Sequence, residues 1–187
     1  GDGLVETVVR QAPSHLTPGG TLQVLANWAD TAQRGWQDRL AAWVEGTDCD
    51  LWVIEREHLD PYTYIEIWLN DAGLAGSDQW APRYRQWLDY FNQLGITGVG
   101  MGWITLTRAG RNTPVVDFET WPWDVQQPVG AALGRRSNDN TQLARPDEQL
   151  LAARWVLRDD VVQESLGTPG APDPSHLVLR QATGLKR

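Results

Sequence analysis

The run Leu16-Thr17-Pro18-Gly19-Gly20-Thr21-Leu22-Gln23-Val24-Leu25-Ala26-Asn27 constrains the fold more than any other stretch of the chain. A Pro-Gly-Gly turn reverses the backbone. The residues from Thr21 to Asn27 that follow are apolar and few, as a buried strand requires. Ahead of the turn, Leu4, Val5, Val8, Val9 and Ala12 recur at helical spacing until Pro13 ends the pattern. A helix, a turn and a buried strand make one half of a crossover unit.

The same alternation continues downstream. Trp36, Leu40, Trp43 and Val44 share a helical face with Gly46 as the stop, and Leu51 to Ile54 reads as a second short strand. Asp60-Pro61 has the form of an N-cap followed by proline at the first helical position, with Ile65, Trp68, Leu69 and Ala72 inward. Tyr62 to Leu69 also alternates as a strand would; helix is the reading adopted. Tyr84, Trp87, Leu88, Phe91 and Leu94 define a further helix ending at Gly95. Ile96 to Thr107, rich in β-branched residues between glycine turns, predicts a long strand. The expected order is helix, strand, helix, strand, two helices, strand.

Beyond Gly110 the character changes. Trp121-Pro122-Trp123-Asp124 is irregular and aromatic, and Gly134 to Asn140 is polar enough for a loop or linker. Pro146 to Arg158 reads as a helix, Gly167 to Pro174 as a Pro/Gly-rich connection, and His176 to Leu179 as a short strand. There is neither an internal repeat nor a low-complexity tract.

The chain has 187 residues, enough for one domain and part of a second. An apolar fraction of 41% with 21% charged residues is ordinary for a globular protein. A net charge of -8, with Lys186 the only lysine, argues against broad phosphate-backbone binding by this segment. Without a membrane-length apolar run or a secretory leader pattern, the expected address is cytoplasmic, with no membrane partner. The single cysteine, Cys49, rules out an internal disulfide and suits a reducing compartment. The 11 tryptophans are either buried anchors, the commoner role, or an aromatic binding surface.

Few motifs carry chemistry. Gly98-x-Gly100-x-Gly102 suggests a nucleotide loop, but such a loop must open a helix, and Trp103-Ile104-Thr105-Leu106-Thr107 reads as strand. The glycines are better explained as letting a neighbouring backbone or aromatic ring approach. Asp48 with Asp50, and Glu55 with Glu57, could form an acid/base pair across a cleft, yet exposed strand ends carry such pairs routinely. His15, His58 and His176 lack companions at metal-ligand spacing, so no metal site is expected. Trp121, Trp123 and Asp124 either line a pocket by stacking or plug the end of a sheet. Asn27 and Trp28 fall at the carboxyl end of the first strand, where open α/β sheets bind ligands. These five residues are the substrate-facing candidates; catalytic and cofactor-binding residues are not identified.

The stretch from His15 to Asn27 resembles the junction of the fourth helix and fifth strand in class I S-adenosylmethionine-dependent methyltransferases, most closely the small amino-methylating type. Asp60-Pro61-x-x-Tyr64 and Gly102-Trp103-Ile104-Thr105-Leu106 are similar to segments of long bacterial members with an extra carboxy-terminal region. The resemblance implies an α/β fold: the carboxy-terminal half of a doubly wound, Rossmann-like methyltransferase sheet with a helical insertion and a partial carboxy-terminal extension. Residues 21–27, 51–56 and 99–108 would be its fifth, sixth and antiparallel seventh strands, with the insertion at about 60–95. The methyltransferase part would span 1–125, a linker 126–144, and part of an accessory domain 145–187.

The resemblance also implies a parent enzyme that methylates an amide or exocyclic amine nitrogen of nucleic acid or protein, using S-adenosyl-L-methionine. The glycine-rich cofactor loop and the Asn-Pro-Pro-Tyr motif of that family would precede Gly1, so this fragment alone is expected to be inactive. A sheet edge left open along 21–27 suggests a dimer or a swapped arrangement. The alternative is a non-catalytic Trp-rich interaction or accessory module.

Overall fold

The structure, a computed structural model, describes residues 2–182 and 184–185. It separates into two compact units, residues 1–122 and 123–187.

The first unit opens with α1 (Gly3–His15), β1 (Thr21–Thr31), α2 (Trp36–Ala41) and β2 (Cys49–Leu59). It continues with α3 (Pro61–Asp71), α4 (Trp80–Gln93), β3 (Ile96–Arg108) and β4 (Val116–Thr120). The expected order of elements is therefore present. Pro13 does not stop α1, because it lies in the last turn and the helix continues only to His15, with the Leu16 N–H returning to the Ala12 carbonyl. Asp60 caps α3 as its sequence suggests, accepting from the Tyr62 and Thr63 amides at 2.9 and 3.0 Å ahead of Pro61. That cap settles residues 62–69 as helix.

The four strands form one mixed sheet in the order β1-β3-β2-β4. β3 runs antiparallel to both β1 and β2, and β2 pairs in parallel with β4. Alternation along the strands feeds two cores. On one face Trp28, Leu51, Val53, Ile104 and Leu106 pack with Val9 of α1 and Trp36 and Leu40 of α2. On the other, Ala29, Ile96 and Val99 pack with Ile65 and Leu69 of α3 and Phe91 of α4. The unit is thus a mixed α/β layer structure with helices on both sheet faces. Trp28, Trp36, Trp43, Trp52 and Trp121 are buried anchors, whereas Trp68, Trp123 and Trp155 are exposed.

The second unit holds β5 (Val125–Gln126), α5 (Gly130–Leu143), α6 (Asp147–Ala152), β6 (Val161–Leu166), β7 (His176–Gln181) and β8 (Gly184–Leu185). β6 pairs antiparallel with β7, and β5 with β8. Gly134 to Asn140, expected as a loop within the linker 126–144, is helical. Its polarity reflects a helix with one buried residue, Leu133. α6 is shorter than Pro146 to Arg158, since Ala153 turns extended and the Trp155 indole donates to the Leu150 carbonyl at 2.9 Å.

Candidate functional site

The carboxyl half of β1 borders a cleft of about 560 Å³ within the first unit. Asn27, on the α3/α4 side of the strand, donates from Nδ2 to the Tyr64 hydroxyl at 3.0 Å. Tyr64 stands next to Phe91 and Trp87, with ring centroids 6.0 and 6.4 Å away, and these three rings form an aromatic wall. Arg83 and Gln86 add polar groups from α4, joined to each other at 3.0 Å. Flat rings with a few amide and guanidinium groups suit a planar ligand that can hydrogen-bond along its edge.

Asp2 closes one end of the cleft. Its carboxylate accepts from the Ala29 amide at 2.9 Å and pairs with Arg39 at 2.9 Å, while the Arg39 guanidinium also donates to the Ala29 carbonyl. Burial pushes the Asp2 carboxyl up, but the Arg39 hydrogen bond and charge and the Ala29 N–H together hold it below the ordinary aspartate value.

Of the five residues singled out from sequence, Asn27 and Trp28 both border this cleft. The Trp28 indole, however, points through the opposite face, where it is fully buried against Trp36 at 5.3 Å. Trp121 is elsewhere: its N–H donates to the Glu55 carbonyl at 2.8 Å and its carbonyl accepts from Arg56 at 2.8 Å. Trp123 and Asp124 are exposed and belong to the second unit.

The carboxylate pairs do not act as pairs. Asp48 is bound to Arg108 at 3.1 Å, and that guanidinium holds its carboxyl below the usual range. Asp50 is bound to Arg111 at 3.0 Å and accepts from the Val115 amide at 2.9 Å. Glu57 is exposed, whereas Glu55 is buried and accepts from His58 Nδ1 at 2.9 Å and from the Thr120 hydroxyl at 3.3 Å.

Sequence spacing hides that last contact, because residues three apart on a regular strand face opposite ways. Here Glu55 pairs with Gly102 and Glu57 with Met101, so Arg56 is an extra residue and the bulge returns His58 to the face of Glu55. Gly102 permits the bulge: a Cβ there would overlap the Ile54 carbonyl and lie 3.1 Å from the Arg56 nitrogen. Likewise a Cβ at Gly98 would overlap His58 Nε2, and one at Gly100 the Trp28 indole. The three glycines therefore admit a backbone and two rings, as the strand reading of this motif anticipated.

For the same reason they do not form the nucleotide-cradling loop that their spacing suggests. They lie inside β3, open no helix, and the space above them is filled. Among the described residues there is also no cluster of His, Cys, Asp and Glu able to hold a metal, and no helix long and apolar enough to cross a membrane. Cys49 is buried and unpaired, its thiol pushed up by burial. No protein-family model matches the chain, and a search of curated proteins likewise finds no match.

Proposed function

We propose that the first unit contributes part of the sheet and the acceptor-binding surface of an S-adenosylmethionine-dependent methyltransferase that acts on an amide or exocyclic amine nitrogen of nucleic acid or protein. The cleft beside Asn27 carries this reading, since it borders the carboxyl half of β1, which continues past Asn27 to Thr31, with an aromatic wall and edge-reading polar groups. Further support comes from β3, which runs antiparallel to β1 and β2 as the last strand of that fold does, and from α3 and α4 between β2 and β3, where an insertion is expected.

Within this reading Asn27 orients the acceptor edge while Tyr64 and Trp87 stack on its plane. None of the 187 residues is assigned to the cofactor in this reading. Two measurements test the two parts of the proposal. Titration of the chain with adenosine, cytidine or a glutamine-containing peptide, followed by NMR, is expected to shift resonances of Asn27, Tyr64 and Trp87. Shifts confined to other residues would refute the acceptor surface. Saturable S-adenosylmethionine binding by residues 1–187 alone would refute the division of labour.

The alternative is a non-catalytic Trp-rich interaction module, which the same aromatic wall favours. It expects ligand binding at the cleft without methyl transfer from labelled S-adenosylmethionine by any longer chain carrying these residues.

A further inference from the structure

On the sheet face opposite the cleft, the bulge at Arg56, the glycines of β3 and the end of β4 bring together a second set of groups. Glu55 and His58 sit near the carboxyl end of β2, and Thr120 lies opposite Glu55 in the parallel register with β4. The Glu55 side chain is only 8% exposed, whereas His58 is 42% exposed. A carboxylate withdrawn from water thus touches an imidazole that reaches it.

We infer that Glu55 and His58 form a proton-accepting dyad, with His58 Nε2 as the base toward a ligand N–H or O–H and Glu55 as the positioning residue. The carboxylate can only accept, so at 2.9 Å it requires the proton on Nδ1 and leaves a lone pair on Nε2, the ring atom that lies over Gly98. When Nε2 takes a proton from the ligand, the electron pair of the broken bond stays on the ligand nitrogen or oxygen. The resulting imidazolium is balanced by the Glu55 charge beside it, as in other carboxylate–histidine arrangements.

Three further observations fit this role. Thr120 donates to the second carboxylate oxygen at 3.3 Å and restrains its rotation. Gly100 leaves open the space that the Trp28 indole and Glu55 share, since a Cβ there would overlap the indole and lie 2.9 Å from Glu55 Oε1. Gly98, finally, leaves room for the imidazole to lie across the strand.

This site is independent of the acceptor cleft and is tested on the chain itself. The ring nitrogen shifts of His58, read by NMR above the imidazole titration range, are expected to show hydrogen on Nδ1. Free imidazole side chains prefer the reverse tautomer. A wild-type ring protonated on Nε2 would overturn the dyad, whatever becomes of any variant. Reactivity provides the second readout. His58 Nε2 should attack a carbonyl of diethyl pyrocarbonate, forming the N–C bond as ethyl carbonate departs and the Nδ1 proton moves toward Glu55. The expected rate for His58, resolved by mass spectrometry, is several-fold above those of His15 and His176. Glu55→Gln can donate as well as accept and Glu55→Ala can do neither, so both variants should lose the Nδ1–H preference and the rate advantage. Equal rates at the three histidines in the wild type would also sink the proposal.

Discussion

The Asn27 amide donates to the Tyr64 hydroxyl at 3.0 Å, tying the carboxyl half of β1 to the first turn of α3. Tyr64→Phe keeps the ring in the aromatic wall and removes only this bond. Leaving a partly buried amide without its partner should cost about 1 kcal/mol in urea denaturation. If the cleft binds planar ligands, the same variant should retain stacking but lose edge discrimination. An unchanged midpoint would mean that Asn27 finds water instead.

Gly102 faces the Ile54 carbonyl so closely that alanine cannot enter without abolishing the bulge at Arg56. Gly102→Ala should therefore destabilise the first unit by about 3 kcal/mol, the upper end of ordinary overpacking. Gly134→Ala is the opposite case, because nothing lies within 4 Å of its added Cβ and the residue sits inside α5. That change should stabilise the helix by up to about 1 kcal/mol. Thermal melts of the two variants should move in opposite directions.

What was legible in the sequence follows from which signals are local. Asp60-Pro61 announced the start of α3 because an N-cap is written in adjacent residues. The glycines of β3 could be assigned to close approach, since Trp103 to Thr107 kept the strand going past them. The Glu55–His58 contact was not legible, because it depends on one inserted residue in the register between β2 and β3. No periodicity in β2 alone reveals that insertion. A cue was nevertheless available: glycine on a strand interior often marks a bulge in its partner. α5 was missed for another reason. Its exposed polar face looks like a loop when composition is weighed without regard to how little of the helix is buried.

Asp2 links the pH response to the edge of β1. Its carboxyl titrates below the ordinary 3.8 in the folded chain, despite burial, because Arg39 and the Ala29 amide favour the charged form. A depressed carboxyl stabilises the fold fully above its unfolded value, and that contribution is lost as pH falls through the depressed value. Asp2→Asn lacks it at every pH. Near neutrality the variant should be less stable by about 2 kcal/mol, the scale of hydrogen bonds to charged groups. Stability curves of the two proteins should converge as pH falls through that depressed value; a constant offset through the acid range would exclude Asp2 as the titrating group.

The outer edge of β1 has no neighbouring strand among the described residues. Because the Ala29 N–H and carbonyl point outward to Asp2 and Arg39, alternation directs those of Asn27, Leu25, Gln23 and Thr21 outward as well. Asp2 and Arg39 occupy only the Ala29 end. Leu25, midway along the free stretch, is 74% exposed, so the edge combines unpaired backbone groups with an apolar side chain. Edges of this kind pair with one another unless a charge interrupts them. The chain should accordingly self-associate in sedimentation experiments as its concentration rises. Leu25→Lys should return it to the monomer without lowering its melting temperature, since the side chain contributes little to either core. A wild-type chain that stays monomeric at the highest concentrations reached would show that the edge is protected by some other means.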